Sequence, residues 1–151
     1  MRLCLLGFVV LLLGSMVWAA PEGGDSDRKH IVAPERSKLP FSDGVLVGNT
    51  LYIGGHIGID PKTGKPGATA EDEARLVMDG IKHTVETAGL GMDDLVSVQV
   101  FCSDLSLYDT FNQVYRGYFH GAYPVRAFLG SGKLLFGARY EVVGIAIKRA
   151  R

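Results

Sequence analysis

Cysteine is nearly absent from these 151 residues: there are two, Cys4 and Cys102, and Cys4 lies inside an N-terminal apolar run. Loss of that run would leave Cys102 alone, so no intrachain disulfide could staple the fold and stability has to come from packing. An excess of charge is missing too, since 16 Lys and Arg balance 16 Asp and Glu and no basic run or stripe occurs. Phosphate backbones are gripped by clustered Lys and Arg, so this balance argues against a nucleic-acid partner. His30, His83 and His120 have no Cys or acid at ligand spacing, which leaves no metal site to expect. A phosphate-binding loop, a dinucleotide fingerprint and a Ser-His-Asp arrangement are also lacking, and no cofactor is expected.

What is present begins with Met1-Arg2, an apolar stretch from Leu3 to Val17, and the boundary Val17-Trp18-Ala19. Residues 1–19 read as a signal peptide, which predicts a periplasmic or secreted protein. The run is shorter than the roughly 20 residues that span a bilayer, so no stable membrane anchor is expected, an uncleaved N-terminal anchor being the alternative. Residues 20–38 are rich in Gly, Asp, Ser, Arg and Pro and read as a flexible arm. Residues 39–151 then form one domain.

Within that domain, Val45 to Val47 and Thr50 to Ile53 are β-rich runs flanking Gly48-Asn49, a two-residue hairpin signal. From Thr69 the period becomes helical, with Ala74, Val77, Met78, Ile81, Val85 and Ala88 on one stripe and Glu73 among the polar positions. Thr69 can cap this helix and Gly89 can close it. Leu95 to Cys102 alternates as a strand, with Val96, Val98, Val100 and Cys102 expected to face the helices. A second helix is expected to start at Ser106, with Asp109 in a capping-box-like position, and to bury Leu107, Phe111, Val114, Tyr115 and Tyr118. Two strands, about 126–129 and 139–148, complete an α+β order β-β-α-β-α-β-β, one sheet with two helices on one face.

The last strand is apolar on both faces: Tyr140, Val142, Gly144 and Ala146 alternate with Glu141, Val143, Ile145 and Ile147. A sheet with one solvated face should alternate apolar with polar residues. Two helices cover only one face, so the second predicts a homo-oligomer, or a loop or the arm folded across it.

Three segments occur in an order that resembles the reactive-intermediate-deaminase (Rid, YjgF-like) family. They are Leu39-Pro40-Phe41-Ser42 with Gly48 to Gly64, then Val98 to Asp104 with Phe111 to Tyr115, then Tyr123-Pro124-Val125-Arg126-Ala127. The resemblance implies a chorismate-mutase-like subunit, a homotrimer with ligand sites in the clefts between subunits, and hydrolysis of reactive enamines and imines to 2-keto acids and ammonia. A non-catalytic trimer that binds 2-keto acids or related small carboxylates is the alternative.

Arg126 matches the family's carboxylate-binding arginine, and its planar fork of donors suits two parallel hydrogen bonds to a carboxylate. Read from the residues alone, an Arg after a Pro in an apolar stretch is more often part of an interface ion pair. Gly54 and Gly55 match the site loop, or else mark a bulge or close strand crossing. Asn112 matches an asparagine near the cleft, or is a helix-surface residue. Phe41, Phe128 and Val143 stand where the family commonly has Tyr, Cys and a water-positioning Glu. Glu141, two residues earlier on the same strand face as Val143, could substitute for that Glu or join an ion pair. His56 is the local titratable candidate for ligand binding, and a lone strand His is also often structural.

Overall fold

The computed structural model describes residues 27–149, so the signal-peptide reading of residues 1–19 lies outside the described residues. Arg28–Ile31 (β1), Gly44–Val47 (β2) and Thr50–Ile57 (β3) are followed by a small ribbon, Ile59–Asp60 (β4) and Lys65–Pro66 (β5). Then come Ala70–Thr87 (α1), Leu95–Cys102 (β6), Tyr108–Arg116 (α2), Val125–Gly130 (β7) and Tyr140–Ile147 (β8). The main sheet runs β1-β2-β3-β8-β6-β7, and only the β6–β7 pair is parallel. The α+β order expected from sequence is present, with β1 and the ribbon added.

β1 corrects the reading of 20–38 as a flexible arm, because Arg28–Ile31 pair antiparallel with β2 and Ile31 enters the core. Its composition concealed this. An edge strand is kept from pairing with other chains by charge, and three of the four residues here are Arg, Lys and His. The hairpin signal was sound: Val47 pairs with Thr50 across Gly48, which adopts φ 58°.

α1 forms where the apolar stripe lies, and the Thr69 Oγ1 accepts from the Asp72 N–H at 3.0 Å while the Asp72 carboxylate reaches back to the Thr69 N–H. Val77, Met78, Ile81 and Val85 pack on Leu51, Ile53, Val98, Val100, Val142 and Ala146 to form the core. Phe111 of α2 meets Tyr140 at 5.0 Å and Phe128 at 5.6 Å between ring centroids, which puts α2 on the same sheet face.

Two expectations need correction. Val96 is exposed rather than helix-facing, because the register against β8 shifts between Leu95 and Ser97 and Leu95 takes the buried place. α2 starts at Tyr108, not Ser106: a single 3-10 turn at Leu105–Leu107 precedes it, and the Asp104 carboxylate accepts the Ser106 N–H.

Glu73 also departs from its expected polar position. It is fully buried, and its carboxylate accepts the backbone N–H groups of Arg139 (2.5 Å) and Tyr140 (3.1 Å) and pairs with the Arg139 guanidinium at 2.7 Å. This clamp fixes the start of β8 on α1 and therefore the position of Glu141, the next residue.

The other face of the sheet carries Val47, Tyr52, Val125, Leu129 and Ile147, all exposed in the single chain. The two-faced apolar pattern of the last strand is thus a surface pattern, with the helices on the opposite side.

Candidate functional site

The register of β3 against β8 gains one residue between Ile53 and His56. A bulge of this kind reverses which side chains face each way beyond it. Leu51 and Ile53 face the helices, so strict alternation would send Gly55 to that side and His56 away from it. The extra residue does the reverse: His56 pairs with Val142 and is buried against α1. Its Nδ1 donates to the Gly54 carbonyl at 2.9 Å and its Nε2 lies 3.0 Å from Thr84 Oγ1. Gly80 makes room for the ring, since a Cβ there would lie 3.0 Å from His56 Cδ2.

His56 is therefore a core residue, which corrects its assignment to ligand binding. Burial holds its pKa below the ordinary 6.5, with the Arg36 and His83 charges acting in the same direction and the Gly54 hydrogen bond and Asp43 opposing them. A base with a lowered native pKa binds fewer protons folded than unfolded, so its contribution is complete above pH 6.5 and is lost as pH falls below that value. The expected result is a thermal midpoint that drops between about pH 8 and about pH 5.5 in the wild type and drops less in His56→Gln. Melting curves across that range check it, and parallel pH profiles would refute it.

The bulge leaves its two glycines at the wall of a cavity of about 400 Å³ that Phe41, Ser42 and Glu141 also line. A Cβ on Gly55 would collide with Glu141 Oε1, and one on Gly54 would lie 3.0 Å from the Ser42 carbonyl oxygen. Glycine at 55 is what lets the carboxylate lie over the strand. Among the described residues, Glu141 is the one carboxylate lining this cavity, whereas Val143 sits further along β8 opposite Gln99. The carboxylate at this cavity is therefore that of Glu141, two residues before Val143.

Arg36 also lines the cavity, held at 2.7 Å by the buried Asp43, which accepts the Ala33 N–H as well. Beside it, Phe136 has φ 57° and ψ 14°. A bulky side chain in this left-handed region costs roughly 1–2 kcal/mol.

Arg126, Asn112 and Phe128 form a second cluster. The Arg126 guanidinium donates to Asn112 Oδ1 at 2.7 Å and lies 4.6 Å from the Tyr115 ring centroid, 5.7 Å from that of Phe128 and 5.8 Å from that of Tyr108. Three rings and an amide thus orient the fork beside a cavity of about 360 Å³. The sequence places Tyr115 in the apolar stripe of its helix and in a family-like segment but not at the site; Asn112-x-x-Tyr115, one helical turn apart on one face, was the available signal. Its hydroxyl is buried with no hydrogen-bond partner, and burial pushes its pKa up to about 12.

The two clusters do not meet within one chain. Arg126 is level with Val98, Gly144 and Ile53 across the sheet, so β7 and β3 are three strand spacings, roughly 14 Å, apart. Arg126 shares the helix-side face with Val98, whereas Glu141 pairs with Phe101 and Ile57 on the other. Among the described residues, no group of three His, Cys, Asp or Glu side chains could hold a metal, and no helix is long and apolar enough to cross a membrane. Cys102 is a buried thiol with its pKa raised by burial.

An α+β chain with one helix-covered sheet face and two polar clusters at separate strands belongs to a recognised class. A family model described as Endoribonuclease L-PSP matches residues 31–148, and the chain belongs to that family, also called Rid or YjgF. It is 36% identical over 111 residues to the 2-iminobutanoate/2-iminopropanoate deaminase of Bos taurus, covering 72% of this chain and 80% of that one. Escherichia coli TdcF solved with bound serine superposes with a TM-score of 0.74 at 31% identity, covering 80% of this chain and 100% of that one. The E. coli YjgF gene product gives 0.75 at 32% identity, with 80% and 99% covered.

Proposed function

We propose that the protein hydrolyses reactive 2-imino and enamino acids to 2-keto acids and ammonia, in a homotrimer whose sites form where Arg126 of one copy meets Glu141 and the glycine pair of another. The observation that carries this reading is the Glu141 carboxylate lying over Gly55 in the wall of an open cavity. The deaminase activity named for the bovine relative, and the small amino acid bound by TdcF, agree with it. The apolar second sheet face gives three copies a surface to bury.

In this reading the braced Arg126 fork binds the substrate carboxylate and fixes the C2 carbon. Glu141 takes a proton from a water molecule as its oxygen bonds to C2 and the C=N bond becomes single. Returning that proton to nitrogen gives the 2-amino-2-hydroxy acid; Glu141 then carries the hydroxyl proton to the same nitrogen as the C–N bond breaks and C=O forms, so imine plus water gives keto acid plus ammonia with no proton left over. The substrate is already electrophilic, and orientation with one proton carrier suffices.

The test is release of ammonia and keto acid from freshly generated 2-iminopropanoate. A rate above the buffer reaction is expected, and none would defeat the proposal. Export forms part of the same reading: residues 1–19 act as a cleaved signal. Cell fractionation with N-terminal sequencing should find a shortened chain outside the cytoplasm, and full-length protein retained inside would overturn it.

A further inference from the structure

We infer that the site selects imino acids with a large apolar or aromatic side chain over those with one or two side-chain carbons; this rests on the deaminase reading above. The cavity beside Glu141 is walled by Leu39, Phe41, Ile57, Leu135 and Phe136. Four of these are exposed in the chain: Leu39 at 47%, Phe41 at 54%, Leu135 at 69% and Phe136 at 74%. A cavity of about 400 Å³ lies in the range used for whole small-molecule ligands, and a methyl group would leave most of its apolar wall wet.

Phe136 adds an independent observation. Among the described residues it alone adopts positive φ without being glycine. Contacts inside the chain do not offset that conformation, because its ring is mostly exposed. Strained residues persist where function retains them, and they cluster at ligand clamps. Glycine would fit the backbone more cheaply and present no ring, so the ring itself is what the position supplies. Phe41, across the same cavity, offers a second ring to the same occupant.

Arg126 and Glu141 read the part that all 2-imino acids share, so the apolar wall is left to read what differs. A single methylene in an apolar pocket changes kcat/KM by about 10–200-fold, so a benzyl side chain should be favoured over methyl by about 100-fold.

The experiment generates imines in place with an amino-acid oxidase from phenylalanine, leucine and alanine and follows the loss of semicarbazide-trappable imine. The full-length protein is compared with Phe41→Ala, Phe136→Gly and, as a control outside the cavity, Leu105→Ala. The phenylalanine-derived imine should be preferred by about 100-fold in the wild type and in Leu105→Ala, and by less than about tenfold in both Phe variants. Phe136→Gly should keep the wild-type melting midpoint and subunit number, since it removes an exposed ring and a left-handed strain. A wild-type ratio near one with measurable turnover overturns the inference and leaves the deaminase reading standing. Dissociation of Phe136→Gly into monomers also overturns it, by showing the ring to be a contact between copies. Absence of turnover on every imine defeats both.

Discussion

Glu73→Ala is expected to lower the unfolding free energy by about 3–5 kcal/mol, a large share of the roughly 5–15 kcal/mol that holds a domain folded. The carboxylate is completely buried and serves three donors: two successive backbone N–H groups at the start of β8 and the Arg139 guanidinium. Alanine leaves the two amides unsatisfied, and each such loss costs about 1–3 kcal/mol. Arg139 is partly exposed and can turn to water, so the amides dominate the sum. Glu73→Gln keeps one oxygen for the amides and should lose less than half as much. The exposed Glu86, which only pairs with Lys82 one turn away, sets the scale for a surface carboxylate, at about 0.5 kcal/mol or less. Urea unfolding at one fixed protein concentration measures all three, and equal midpoints for Glu73→Ala and Glu86→Ala would show that the clamp is not structural.

That clamp shows where sequence reading stops. Periodicity identified α1 because its apolar residues repeat, but it assigned Glu73 to the polar remainder, since a helical wheel registers residue type and not which surface a neighbouring strand covers. The hairpin at Gly48-Asn49, the Thr69 cap and the apolar outer row of β8 were legible because each is a local rule: a turn needing positive φ, an N–H needing an acceptor, an alternation of period two.

The position of His56 was not legible. It depends on one inserted residue in β3 relative to β8, a relation between strands almost ninety positions apart that sends the ring into the core. The same bulge places the glycine pair against Glu141, so the carboxylate at the cavity wall comes from 141 and not from position 143. β1 was hidden for another reason: an edge strand protected by charge reads like a tether until its partner is known. Of the candidate site, Arg126, Asn112, Phe41, Gly54 and Gly55 were found through resemblance to a family pattern. Tyr115 and Tyr108 complete the aromatic surround of the guanidinium; Tyr115 lay in a segment resembling the family, without a role at the site, and Tyr108 had no mark in sequence.

Mixing two inactive variants should restore activity. Arg126→Ala removes the proposed carboxylate fork, and Glu141→Gln removes the proposed proton carrier, whose loss should lower kcat by about 10²–10⁴-fold. Within one chain these groups lie on opposite sheet faces, Arg126 on β7 and Glu141 on β8 two strand spacings away, so neither variant can repair its own site. In a trimer with shared sites, each site takes its Arg from one copy and its Glu from another. Random reassembly of equal amounts then gives about one quarter of sites with both groups intact, and about one quarter of wild-type turnover. Unfolding and refolding the variants together, against the same amounts refolded apart and then combined, isolates subunit exchange as the cause. Glu141→Gln keeps the shape of the side chain over Gly55, so a failure of assembly is not expected, and sizing of each variant checks that. Turnover that stays at the level of the separate variants after co-refolding into mixed trimers would mean that Arg126 and Glu141 do not serve one site, and the proposed chemistry would then lack either its substrate clamp or its base.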